Sequence, residues 1–345
     1  MLPIVMLALT LLLREPSAEL VRKLWPVFAA CAAIALLAVL QRKGIYGNAY
    51  EIDALEMLDK IDIKDAYPLS IQTQCFMFFK YWTLWLLPNP AWMSVDMRVA
   101  FAQSLISPYW LALAAYVGYG VFASRLLLKR GMEGLVGFAM LFPWLLFATE
   151  FASIRIQEPF VLYRSYLWMP GTFAALPAAL ALLSAKRAFL MLLFISLLFI
   201  PLSIDRLSSF SHPLLLWDDA EVLVHDKQNL PGVSRIYYNR GRAFYDAKKY
   251  ADAVSDFKRA VALRPKFRHG YYGLGVSYFA QGDYFNALAA LDRTILLDPD
   301  YIRAYYARGL IYRDLNQLES ARGNLRKSCK LGWQSGCAKL KEMGG

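Results

Sequence analysis

Histidine and cysteine are scarce in this chain. The three histidines, His212, His225 and His269, are dispersed and show no metal-site spacing. Four cysteines in 345 residues exclude a small disulfide-framework protein. Charge is also low, with 19% of residues Asp, Glu, Lys or Arg, against about 25% in an ordinary soluble domain. There is no glycine-rich loop ending in lysine to cradle a phosphate, and no G-x-S-x-G elbow. Gly118 and Gly120 flank Tyr119 inside an apolar run and read as packing residues. Nothing in the chain forms a complete active site, so enzyme status stays open.

What is abundant is apolar. Hydrophobic residues make up 58% of the chain, and the mean hydropathy is +0.34. This argues against a fully water-soluble chain and excludes a disordered one. The charge is unevenly spread. Residues 1–203 carry 16 Lys plus Arg against 12 Asp plus Glu, whereas the shorter stretch 204–345 carries 22 against 15. A membrane–soluble boundary is expected near residue 203.

Long apolar runs at 24–40, 104–124, 133–150, 167–184 and 188–203 are candidate spans, and 1–13 is a shorter sixth. The 1–13 run lacks the charged start and small-residue cleavage site of a signal peptide. Two readings stand: an irregular N-terminus, and a helix whose first turns lie upstream of Met1. If every run spans, three short basic loops fall on one side: Arg14 with Arg22 and Lys23, Arg125 with Lys129 and Arg130, and Lys186 with Arg187. That side is expected to be cytoplasmic. Residues 41–103, residues 151–166 and everything after 203 then face outward, as in a bacterial inner-membrane protein with a periplasmic C-terminal region. No partly buried ion path is marked by charges in mid-span, which disfavours a transporter.

Both outward loops are unusual. Residues 71–88 read IQTQCFMFFKYWTLWLLP, which suits an interfacial helix or a re-entrant piece. Trp82, Trp85, Trp92 and Trp110 are belt candidates. Two readings of this stripe stand: plain membrane anchoring, and a wall for a lipid-linked ligand. Residues 151–166 hold Arg155, Glu158, Arg164 and Tyr166 in one polar stretch. Arginine there can grip a phosphate through its planar donor fork, or simply pair with the glutamate on a solvated loop.

After residue 203 an internal period appears. Gly241, Gly275 and Gly309 are 34 apart, as are Ala253, Ala287 and Ala321. Pro265 and Pro299 keep the same step, with Tyr237, Tyr271 and Tyr305 before each glycine and Phe244, Tyr278 and Tyr312 after. This 34-residue pattern is that of the tetratricopeptide repeat (TPR), with units 234–267, 268–301 and 302–335. Small residues let paired helices approach, aromatics fill the gaps, and the prolines end the second helix.

The chain is thus expected to be all-α. It has a polytopic bundle of about six spans over 1–203, with an interfacial outer loop at 41–103. A linker helix at 204–233, the TPR α-solenoid at 234–335 and a short basic tail at 336–345 that finishes the last helix follow.

First helices of TPR units line a concave groove. Tyr238, Tyr272 and Tyr306 occupy one equivalent position, and Arg235, His269 and Arg303 another. Facing the groove, they offer an aromatic ladder flanked by cations, suited to a peptide or an acidic partner. Alternatively the tyrosines are packing alone. The basic balance points to lipid headgroups rather than nucleic acid. Asp218, Asp219 and Glu221 read as a solvated linker helix ahead of a metal role. Cys31 and Cys75 read as inert packing residues. Cys329 and Cys337 lie across the turn at 332–336 and can bridge the last helix pair in an oxidising compartment. Their spacing resembles the bridged helix pairs of Sel1-like repeats.

The order of these pieces resembles the transmembrane and TPR O-mannosyltransferases and their bacterial relatives in the GT-C glycosyltransferase clan. The resemblance is carried by 67–88 (YPLSIQTQCFMFFKYWTLWLLP), by Val95 with Asp96, by 163–170 (YRSYLWMP), and by the linker LWDDAEVLVHDKQNLPGVSRIYYNRG. In 163–170 Arg164 fits the family, while Ser165 and Trp168 depart from it. The clan's acidic catalytic loop precedes the stretch matched here and is expected upstream of Met1. The resemblance implies sugar transfer from a polyprenyl-phosphate donor to an extracytoplasmic hydroxyl, with the groove recruiting the acceptor and a divalent metal as possible cofactor. Arg155 and Arg164 would meet the lipid phosphate, with Gln74 and Lys80 near the lipid path. The competing reading is a non-catalytic, membrane-tethered TPR scaffold.

Overall fold

The computed structural model describes residues 2–13, 63–89, 92–152, 168–227 and 229–344, with a few single positions between 19 and 30. The described residues are helical and contain no strand. They fall into two compact units, Met1–Leu207 and Ser208–Gly345.

The first unit contains α1 (Leu2–Leu13), α2 (Ile63–Leu86), α3 (Tyr109–Lys129), α4 (Gly131–Phe147), α5 (Met169–Leu180) and most of α6 (Ala185–Ser211). Helices α3 and α4 form a tight hairpin turned by Arg130 and Gly131, both at positive φ (62° and 53°). Glycine tolerates that geometry; Arg130 adopts it because a single-residue connection leaves no other path. The hairpin closes on small residues. A Cβ on Gly120 would stand 2.5 Å from the Trp144 indole, and one on Gly137 would collide with the α3 backbone at Leu127. Tyr116 Oη–H donates to the Trp144 carbonyl (2.7 Å), and Trp144 Nε1–H donates to the Tyr116 carbonyl (2.9 Å). Ala8 of α1 packs into the same core as Ala123, Leu127, Phe138 and Leu141.

Three described helices are long and apolar enough to cross a membrane: α3, α4 with the turn that continues it, and α6. The apolar window of α6 has no buried residue, and Phe189, Phe194 and Leu198 all point outward. The run 167–184, expected as a span, does not form one long helix. It folds as the shorter α5, broken by a 3-10 turn at Phe173–Ala175, with prolines opening each helical piece. Apolar content alone does not register such breaks. The 24–40 run lies largely outside the described residues.

The aromatic stripe expected at 71–88 belongs to a longer helix, α2, which begins at Ile63. Phe78 is fully buried and meets Tyr116, Tyr119 and Phe147 with ring centroids 5.1–5.3 Å apart. Trp82 and Trp85 are half-buried, whereas Trp92 and Trp110 are about half exposed.

The second unit begins with α7 (Pro213–Val224). Six helices follow as three antiparallel pairs: α8 (Val233–Asp246) with α9 (Tyr250–Leu263), α10 (Arg268–Ala280) with α11 (Tyr284–Leu297), and α12 (Ile302–Asp314) with α13 (Leu318–Lys330). The nine-residue α14 (Gln334–Glu342) follows and packs on α13. The 34-residue step governs packing: Ala253, Ala287 and Ala321 are all fully buried. A Cβ on Gly275 would lie 2.8 Å from Leu291, and one on Gly309 would lie 2.9 Å from Leu325. Tyr237, Tyr271 and Tyr305 each carry a cation on the ring, from Arg259, Arg293 and Lys327 in turn.

The 204–233 stretch is not one linker helix. Residues up to Ser211 continue α6, and α7 is a separate helix packed on α8. Its acidic cluster is only partly solvated. Arg240 of α8 donates two hydrogen bonds to Asp256 (2.7 and 2.9 Å) and also reaches Asp218 and Glu221 at 3.2 Å. Tyr237 and His225 bind the buried Glu221 as well. Burial pushes the Glu221 carboxyl up, but His225, Arg240 and Tyr237 together hold it below the ordinary carboxylate range. Burial opposes the Arg240 charge, yet its bonds to Asp256 and the nearby carboxylates outweigh this and raise its pKa. Helix α7 therefore caps the solenoid through an ion network, not through solvent. Residues 336–342 lie in α14, so the basic tail finishes the last helix as expected.

Candidate functional site

A cavity of about 710 Å³ opens in the second unit where α8, α10 and α12 meet. Tyr238, His269, Tyr272 and Arg303 all line it. The periodic spacing places them there, because equivalent positions of successive first helices share one face. The rings form a continuous wall. Tyr238 meets Phe267 at 5.0 Å between centroids, His269 meets Tyr301 at 5.5 Å, and Tyr272 meets Tyr301 at 5.2 Å. Nδ1 of His269 and Oη of Tyr301 share a hydrogen bond of 2.9 Å.

Two members of the expected rows do not line the cavity. Arg235, the end member of its row, stands outside the lining, one turn before Tyr238. Tyr306 is also outside, with its ring 6.5 Å from that of Trp333. Arg242, Tyr301 and Trp333 line the cavity and were not anticipated. The register contained a signal for two of them. Arg242 lies four residues after Tyr238 on the same helix face. Trp333 falls one 34-residue step after Pro265 and Pro299, so the third unit has an aromatic where the others end a helix.

The electrostatics of the cavity are mixed. Arg303 rests over the Trp333 ring at 5.4 Å, and Arg242 over the Tyr238 ring at 6.0 Å. Asp298 faces Arg268 at 3.5 Å, and Asp300 faces Lys327 at 3.9 Å. Burial lowers the His269 pKa, and Arg268, Arg264 and Arg303 lower it further against the pull of Asp298. Its ring is therefore neutral at neutral pH. Burial raises the phenols of Tyr238, Tyr272 and Tyr301.

Trp333 is positioned by α13 and α14. Cys329 and Cys337 are joined by a disulfide with Cα atoms 4.6 Å apart, and Trp333 lies inside the small loop so closed. Cys75 is a buried free thiol, and Cys31 lies outside the described residues.

The lipid-site candidates are only partly visible. Arg155 and Arg164 lie outside the described residues. Gln74 is buried on α2, and neither atom of its amide has a hydrogen-bond partner. Lys80 is half-buried two turns further along that helix. Residues 94–107 are stitched onto α2: Thr73 Oγ1 accepts from Ala102 N (3.0 Å), and Gln72 Nε2 donates to the Leu105 carbonyl (3.1 Å). The buried Asp96–Arg98 pair sits in the same segment, at 2.5 Å. Among the described residues no group of three or more His, Cys, Asp or Glu is placed to hold a metal ion.

The family model of the tetratricopeptide repeat matches residues 225–267, 238–301 and 272–335. Solved structures that the chain matches include MamA from Desulfovibrio magneticus RS-1, from residue 41 to its end. It is 25% identical with a TM-score of 0.36, and the match covers 40% of this chain and 78% of that one. The Arabidopsis OM64 TPR domain is 20% identical with a TM-score of 0.32, covering 32% and 93%. The second TPR domain of human RPAP3, solved with an HSP70 peptide, is 21% identical with a TM-score of 0.31, covering 32% and 98%. No curated protein matches the chain. The C-terminal part of this chain is a solenoid of tetratricopeptide repeats.

Proposed function

We propose that this chain is a membrane-tethered recruiting protein whose TPR groove captures an extended segment of a partner protein outside the cytoplasm. The observation that carries this is the ring-lined cavity across α8, α10 and α12. Stacked aromatic faces give contact area at low entropic cost and suit a backbone laid along them. The tether is supported by α6, whose apolar window is entirely unburied. The outer location is supported by the Cys329–Cys337 bridge, because disulfides persist in oxidising compartments. The basic loop at Arg125, Lys129 and Arg130, at the turn between α3 and α4, suits the cytoplasmic side.

The test is site-specific photocrosslinking in native membranes. A crosslinker at Tyr272 is expected to trap a discrete partner, and one at the exposed Phe285 of α11 is not. The Y238A/Y272A/Y306A chain should insert normally and lose its partner. Equal trapping from both sites, or capture by the triple variant, sinks the groove reading.

A second reading is sugar transfer from a polyprenyl-phosphate donor, with the groove presenting the acceptor. It is supported by the bonds that tie Ala102 and Leu105, shortly after Val95 and Asp96, to Thr73 and Gln72 within the 67–88 stretch of the GT-C resemblance. Arg155 and Arg164 would then stabilise the departing phosphate, with Gln74 and Lys80 along the lipid path. Under this reading the purified chain binds a polyprenyl-phosphate sugar, and Arg164→Ala abolishes that binding. No binding by the unmodified chain would end it.

A further inference from the structure

We infer that the TPR groove selects an acidic segment, with Arg242 and Arg303 reading its carboxylates. This rests on the groove reading above and names the chemistry of its occupant. Both arginines line the cavity. Each is held against an aromatic ring, Arg242 by Tyr238 and Arg303 by Trp333. Among the described residues neither has a carboxylate or hydrogen-bond partner, whereas several neighbouring arginines do. Arg240 holds Asp256, Arg268 faces Asp298, and Arg313 binds Asp314 at 2.7 Å. Ring contact covers one face of a guanidinium and leaves its N–H edges for a carboxylate fork. A third donor is idle nearby, since the indole N–H of Trp333 is shielded from water without an acceptor.

The carboxylates on the lining do not cancel this. Asp298 and Asp300 face Arg268 and Lys327. Asp246 leaves one negative charge on the wall against two unpaired arginines. A site with idle donors and a ring wall is complementary to an acceptor-rich, extended chain that alternates acidic and apolar side chains.

The experiment uses the full chain in detergent micelles, read by fluorescence polarisation. The probes are a fluorescein-labelled peptide of alternating glutamate and leucine and its glutamine counterpart. The glutamate peptide is expected to bind more tightly, with affinity falling as salt rises. Arg303→Gln and Arg242→Gln should each weaken it about tenfold, with helicity unchanged by circular dichroism. Lys341→Gln, on α14 and off the lining, should change nothing. Equal binding of the two peptides, with both lost in Y238A/Y272A, overturns the acidic selection and leaves the groove standing. Displacement by inorganic phosphate as readily as by unlabelled glutamate peptide marks a general anion site and also overturns it. Failure of both peptides to bind removes the groove reading and this inference together.

Discussion

The two units build helix hairpins by one method and turn opposite surfaces outward. In the first unit Gly137 brings α4 against the α3 backbone, and Gly120 makes room for Trp144. In the second, Gly275 and Gly309 admit Leu291 and Leu325. Close approach over a small residue works in either setting, because it depends on dispersion and not on the solvent. The outer faces differ. Val117, Phe122 and Leu128 project from the α3–α4 hairpin, while the TPR pairs expose charged side chains such as Lys248, Asp252 and Arg326. The hairpin contact is thus blind to its surroundings, and the outward residues report them.

The sharpest way to break this comparison is to fill the first hairpin. A side chain at Gly137 meets backbone, which cannot step aside, so Gly137→Leu should cost about 3 kcal/mol or more. Thermal unfolding in detergent would show it. Gly118→Ala has open space around it and should be neutral or stabilising by up to about 1 kcal/mol.

The next test lies within the solenoid. The site filled by Arg240 and Asp256 in the first repeat is filled by Leu274 and Ala290 in the second and by Arg308 and Asn324 in the third. Asp256→Ala removes two hydrogen bonds of Arg240 while Asp218 and Glu221 stay in reach, and should cost about 2 kcal/mol in a denaturant melt. The double exchange R240L/D256A copies the second repeat and should recover more than half of that loss. No recovery would mean that α7 depends on Arg240 itself.

Cys329→Ser opens a small loop and should lower stability by about 2.5 kcal/mol on the chain-entropy estimate. Trp333 fluorescence under reducing and non-reducing conditions would follow it.

The smallest effect is a pH response. His269 has a folded-state pKa below its ordinary value of 6.5. The folded chain therefore binds fewer protons than the unfolded one in that window, and stability falls as pH drops through about 6.5 and below. Affinity for the glutamate peptide should move the other way, because a protonated His269 adds a cation to the wall. His269→Gln should flatten both trends.

Legibility follows the same division. In the second unit a repeating register let single positions be multiplied: Tyr238 and Tyr272 line one cavity because they sit one step apart. The same register failed at its ends, where Arg235 lies outside the lining and Trp333 replaces a proline. The first unit has no period to read. Its apolar runs marked α3, α4 and α6, but the breaks in α5 come from Pro170 and Pro177, which a count of apolar residues passes over. The aromatic stripe at 71–88 looked interfacial, yet Phe78 belongs to a ring cluster drawn from α3, α4 and Trp168, partners distant in sequence. Which of its faces would be covered depended on those partners.

The bridge between Cys329 and Cys337 also carries a consequence for timing. Trp333, the rest on which Arg303 leans, lies inside the loop that this bond closes. Ribosomal synthesis leaves that loop open, and only an oxidant can close it. The bond that pins this turn is thus made only after translation, once an oxidant reaches it. Newly made and mature chains would differ by two hydrogen atoms and by their readiness to hold a partner.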